Sequence, residues 1–170
     1  MEVHDTFAPG DHQAYMKFAL SLACKSPPRA TNFCVGAVLV NESTNAIIST
    51  GYTLELPGNT HAEQCCLSKA SKEPRQSSEQ STSSRIVLYT TMEPCNQRAS
   101  QNVSCVDHIL QASAEDSKLR IHKVYVGIRE PETFVGPNIG KARLEAVGIE
   151  YIHVTGLEED ILAVATSGHQ

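Results

Sequence analysis

Four side chains in two short stretches have the types and spacing of a catalytic metal centre: His61 and Glu63 in His61-Ala62-Glu63, Cys95 after Glu93-Pro94, and Cys105 beyond a nine-residue loop. One imidazole and two thiolates suit zinc. Three protein ligands leave its fourth tetrahedral position to water, whose pKa the metal lowers to about 7. Glu63 is close enough to the histidine to handle the proton of that water without being a ligand. We therefore read His61, Cys95 and Cys105 as ligands to Zn2+ and Glu63 as general base and acid. A structural zinc site normally takes a fourth protein ligand. None stands out: His108 falls on the helix after Cys105, and His4, His12, His122, His153 and His169 are isolated, surface histidines by expectation. A non-catalytic zinc-binding interaction module stays open as an alternative.

The elements that must position these residues follow from periodicity. Asp11 caps a helix running to about residue 24, with Tyr15, Phe18, Ala19 and Leu22 at helical spacing, and Pro27-Pro28 stops it. Apolar runs over 35–40 and 46–52, joined by a polar turn at 41–45, predict a hairpin. A helix over 61–70 places His61 and Glu63 in its first turn, where the helix dipole is positive. A buried strand over 86–91 delivers Glu93, Pro94 and Cys95 to its carboxyl end, the edge at which open sheets bind small molecules. Cys105 opens a helix to about residue 114 with Val106, Ile109 and Leu110 on its core face. A strand over 123–128, a helix over 140–147, a strand over 149–154 and a helix over 158–166 follow. The expected architecture is α/β, a three-layer α/β/α sandwich around a five-stranded mixed sheet.

At 170 residues and 41% hydrophobic, the chain has the size of one domain, read as 1–170 with a core over 11–166. Residues 72–84 are serine, glutamine and charge, a composition that buries little, and are expected to be a mobile surface insertion. The net charge of −5 argues against a nucleic-acid surface, because phosphate backbones are held by clustered lysine and arginine. Residues 1–10 lack the apolar stretch of a signal peptide, and no segment is long and apolar enough to span a membrane. A soluble cytoplasmic protein is expected, in which Cys24, Cys34, Cys65 and Cys66 stay reduced as small buried hydrophobes.

The His-x-Glu and Pro-Cys pattern resembles that of the zinc-dependent base deaminases, in which the glutamate shuttles protons. Most of those have two residues between the cysteines. The long loop between Cys95 and Cys105 is similar to that of the riboflavin-biosynthesis branch. Residues 31–40 resemble its first strand, Gly51-Tyr52 leads into His61 as its members do, and 124–131, 136–140 and 144–150 resemble its closing strand, glycine loop and helix. The bacterial members have a His-rich, Pro-Pro-containing loop and a reductase domain. The Asn96-Gln97-Arg98 loop ending in Asn102-Val103-Ser104, without that domain, resembles the stand-alone fungal type.

The resemblance implies a cytidine deaminase-like fold and hydrolytic loss of the 2-amino group from a phosphorylated pyrimidinone bearing a ribityl group. It also implies that the Ala62 backbone N–H holds the ring carbonyl, the Glu93 backbone C=O accepts from the amino group, and Asn32 contacts the ring or its polyol. A homodimer is the default in such families. Arg98, whose guanidinium suits bidentate binding, is the candidate for the phosphate, the alternative being a solvated side chain, and Asn102, Ser104, Asn96 and Gln97 are neutral candidates. Lys141 and Arg143 are expected on the outer face of a helix. A cytosine, cytidine or guanine-type deaminase is the alternative enzyme.

Overall fold

The computed structural model describes residues 7–74, 84–115, 117–131 and 137–169, so most of the 72–84 segment lies outside the described residues. Ten elements follow in order: α1 (His12–Ala23), β1 (Gly36–Asn41), β2 (Ala46–Tyr52), α2 (Ala62–Lys72), β3 (Ile86–Met92), α3 (Cys105–Ala112), β4 (Ile121–Ile128), α4 (Gly140–Ala146), β5 (Glu150–His153) and α5 (Glu158–Ala165). The expected elements are all present, with ends displaced by one or two residues.

The five strands form one mixed sheet in the order β2-β1-β3-β4-β5. β1 runs antiparallel to β2 and β3, whereas β3, β4 and β5 are parallel. The carboxyl ends of β2, β3 and β4 therefore share one edge with the amino end of β1. β1 and β3 are buried along their whole length, as strands covered on both faces must be. Helices α1 and α5 cover one face; α2, α3 and α4 cover the other. The hairpin closes as expected, with Asn41 Oδ1 accepting from the Ser43 and Thr44 backbone N–H groups.

Asp11 caps α1, accepting from the Ala14 N–H at 3.0 Å, and α1 buries Tyr15, Met16, Ala19, Leu22 and Ala23. Three histidines expected at the surface have partners within the protein, His153 Nε2 lying 2.8 Å from the Gly127 carbonyl oxygen. His12 Nδ1 meets the Tyr89 hydroxyl at 2.8 Å and its ring stacks on Tyr125 at 4.4 Å. His169 Nε2 lies 2.9 Å from the Asn32 carbonyl oxygen. Cys34, Cys65 and Cys66 are buried, but Cys24 is exposed, because it ends α1 one residue beyond the helix face that packs on the sheet. Gly51 brings β2 against α2: a Cβ there would overlap the Ala62 carbonyl oxygen and fall 2.6 Å from the Cys66 nitrogen. The start of α2 thus rests on the backbone of β2.

Candidate metal and active site

Two helix starts and one strand end meet at the shared edge. β3 ends at Met92, and the next residues, Glu93-Pro94-Cys95, turn over the sheet, where the Glu93 N–H donates to the Ile128 carbonyl at 2.8 Å. Cys105 is the first residue of α3. His61 is not in the first turn of α2 but caps it in an extended conformation, and Gln64 Oε1 accepts from its backbone N–H at 3.3 Å. Glu63 remains in that first turn. Gln three residues after a cap is the reciprocal half of a capping box, a signal legible in His61-Ala62-Glu63-Gln64.

The potential ligand atoms of His61, Cys95 and Cys105 all lie within 4.8 Å of one another. His61 Nδ1 is 3.5 Å from Cys95 Sγ and 3.3 Å from Cys105 Sγ. Zinc bond lengths at a tetrahedral angle require an N···S separation of about 3.6 Å, so both N···S separations are close to those of a zinc site. Taken as protein groups alone, the two thiols compete for a proton. The Cys105 side chain, by hydrogen bonding, holds Cys95 well below the usual thiol range, and the same contact pushes Cys105 up. A bound dication would favour both thiolates.

Glu63 is 3% exposed. Its Oε1 accepts from the Thr90 hydroxyl at 3.1 Å, and its Oε2 faces Cys105 Sγ at 3.4 Å. Burial first, then the charge of Cys95, push its carboxyl above the ordinary range. A buried carboxylate with one oxygen anchored and the other beside the ligand cluster has the placement of a proton carrier.

A cavity of about 250 Å³ opens beside the cluster. Asn32, Glu93 and Arg98 line it, as do His61, Glu63, Cys95 and Cys105. Ala62 is buried at the start of α2. Glu93 directs its carboxylate away to accept from the Tyr151 hydroxyl at 2.6 Å. Asn32 donates through Nδ2 to Asn59 Oδ1 at 3.1 Å. Gln97 also lines the cavity, but three loop residues expected near substrate, Asn96, Asn102 and Ser104, are placed elsewhere. Ser104 caps α3, accepting from the Asp107 N–H at 3.1 Å and donating to its carboxylate at 2.7 Å. Asn102 is exposed and outside the cavity wall.

Arg143 ties α4 to α3 through Asp107 at 2.6 Å and to Asn96 at 2.9 Å, and Lys141 sits over the Tyr151 ring. His108 is half-buried, and burial lowers its pKa first. Sequence reasoning missed Thr90, Asn59 and Glu130. Glu130, whose carboxyl burial raises to about 8, follows β4 much as Glu93 follows β3, and both line the cavity. An acidic residue just past a second parallel strand was the available signal. Thr90 and Asn59 carried none, because their contacts join segments remote in sequence.

Residues 9–126 match the family model described as the cytidine and deoxycytidylate deaminase zinc-binding region. The chain is 40% identical over 162 residues to the diaminohydroxyphosphoribosylamino-pyrimidine deaminase of Schizosaccharomyces pombe, covering 95% of this chain and 36% of that protein. It therefore spans about a third of that relative's length. Among solved structures, the Aspergillus oryzae Rib2 deaminase in complex with DARIPP superposes with a TM-score of 0.80 at 42% identity, covering 96% of this chain and 93% of that one. The Thermotoga maritima deaminase/reductase superposes with a TM-score of 0.67 at 28% identity, covering 92% of this chain and 40% of that one. The fold is cytidine deaminase-like.

Proposed function

The chain belongs to the cytidine and deoxycytidylate deaminase family, and on that premise we propose that it is a zinc-dependent hydrolytic deaminase of riboflavin biosynthesis. Its substrate in this reading is 2,5-diamino-6-ribitylamino-4(3H)-pyrimidinone 5'-phosphate, and its products are the corresponding uracil and ammonia. The observation that carries the reading is Glu63, buried on the cavity wall with Oε2 turned to a His61, Cys95 and Cys105 cluster of zinc dimensions. The long cysteine loop and the 42% identity to the Aspergillus oryzae Rib2 deaminase support the substrate class.

His61, Cys95 and Cys105 would hold a zinc ion, which would supply Lewis-acid activation of water near neutral pH. Glu63 Oε2, on the cavity wall, is placed to accept a proton from the attacking water. The water oxygen bonds to the amino-bearing carbon while Glu63 passes this first proton to the adjacent ring nitrogen; Glu63 then takes the proton of the new hydroxyl and gives it to the amine, so the carbon–nitrogen bond breaks, ammonia leaves and a carbonyl remains. Thr90 holds Oε1 meanwhile. The Ala62 N–H, the Glu93 C=O and Asn32 orient the ring in this reading. A homodimer and an intracellular setting complete it; six free cysteines suit a reducing compartment.

Ammonia release by the zinc-loaded protein tests the proposal, comparing the ribityl phosphate with its ribosyl analogue, cytosine, cytidine and guanine. Preference for the ribityl phosphate is expected. Preference for a free base or nucleoside would assign the same chemistry to another pathway.

A further inference from the structure

Arg98 is the one cation of the cysteine loop, and sequence alone suggests that it binds phosphate. Its surroundings point elsewhere. The side chain is 6% exposed. Nη1 donates to Gln64 Oε1 at 3.2 Å and to the Val103 carbonyl at 3.3 Å, and Nη2 donates to the Asn59 carbonyl. Asn59 and Val103 each lie two residues ahead of a proposed metal ligand, His61 and Cys105. Gln64 is the residue that accepts from the His61 backbone N–H. The Arg98 carbonyl itself accepts from the Gln101 N–H at 3.0 Å, where Gln101 takes a positive φ of 60° to turn the loop. Three of the five guanidinium N–H groups are thus committed to protein acceptors, and Nε is buried with no partner among the described residues. The Nη1–Nη2 end that would grip a phosphate with two parallel bonds is turned to the protein.

We propose that Arg98 is a positioning residue: a guanidinium clamp that joins the segment before His61 to the segment before Cys105 and so fixes the separation of the two ligands. The Val106 N–H, donating to the Cys95 carbonyl at 3.1 Å, already holds the start of α3 to Cys95, so the separation that the clamp sets is the one between Cys105 and His61. One planar cation bonding both segments and the capping Gln64 supplies the missing constraint. Lysine cannot replace it, because a single ammonium does not reproduce a rigid fork. The clamp rests on the deaminase reading only for its activity assay; its effect on metal retention is independent of substrate.

The test uses the full chain with Arg98→Lys and Arg98→Met, both checked for folding by circular dichroism. Zinc transfer to a chromogenic chelator is followed, and kcat and KM are measured with the phosphorylated pyrimidinone and its dephosphorylated form. Removing a residue that orients metal ligands typically costs about 10- to 100-fold in metal affinity or activity. The clamp predicts losses of that size in zinc retention for both variants, with kcat reduced alike on both substrates and no rescue by lysine. Wild-type zinc retention in both variants would overturn it. So would a rise in KM confined to the phosphorylated substrate and repaired by lysine, the signature of a phosphate ligand. If the wild type retains zinc but releases no ammonia, the proposed function fails while the zinc measurement still decides the clamp.

Discussion

Thr90 offers the sharpest dissection of how Glu63 is set up. Its side chain is fully buried in β3, and its one hydroxyl proton has two acceptors within reach: Glu63 Oε1 at 3.1 Å and the Met92 carbonyl at 2.9 Å. When Glu63 is ionised, the hydroxyl donates to it and leaves Oε2 as the oxygen facing the ligand cluster. When Glu63 carries the proton on Oε2, Oε1 still accepts from the same hydroxyl, more weakly, and the Met92 carbonyl offers that hydroxyl a second acceptor. Thr90 thus serves both states of a group that must alternate between them. Thr90→Val keeps the shape and removes the hydroxyl. A hydrogen bond to a charged group contributes about 1.5–3 kcal/mol, and each 1.36 kcal/mol is tenfold in rate, so kcat is expected to fall about 10- to 100-fold with zinc content unchanged. Thr90→Ser retains the hydroxyl and should stay within a few-fold of wild type. Steady-state ammonia release with parallel zinc analysis is the assay. Wild-type kcat in Thr90→Val would refute the reasoning, and equal losses in both variants would transfer the effect to the lost methyl group.

Gly51→Ala places a methyl against the first turn of α2; overpacking of this kind costs about 1–3 kcal/mol, so a lowered Tm and weaker zinc retention are expected, read by thermal unfolding and chelator competition. Ser104→Ala removes the cap of α3 directly before Cys105, with an expected loss of about 1 kcal/mol in denaturant unfolding; an unchanged midpoint would deny the cap its role. Tyr151→Phe strips the buried Glu93 carboxylate of its 2.6 Å donor. A loss of about 1.5–3 kcal/mol follows for an acceptor of that kind, and stability equal to wild type would show that the carboxylate finds another donor.

The sheet was legible because the local signals agreed. The apolar run over 35–40 announced a strand, Asp11 announced the start of α1, and Asn41 to Asn45 announced a turn. The His61, Cys95 and Cys105 cluster was legible for a chemical reason: one imidazole and two thiols, with a carboxylate two residues from the imidazole, are an unusual combination in two short stretches. What escaped was whatever depends on contacts between distant segments. Arg98 reads as a solvated or phosphate-binding cation until Asn59, Gln64 and Val103 are seen around it. Ser104 reads as a substrate contact until its hydroxyl is found capping α3. His12 finds Tyr89 across 77 residues, a partnership no local spacing encodes.

Glu63 in this reading moves protons without holding the metal, and Glu63→Gln separates those two roles. Ammonia release and zinc content are measured together on wild type and variant with the ribityl phosphate as substrate. General acid–base catalysis contributes about 100- to 10,000-fold, so turnover should drop by at least that range while zinc content stays equal to wild type. Turnover equal to wild type would remove Glu63 from the chemistry, and loss of zinc along with turnover would make it a ligand instead.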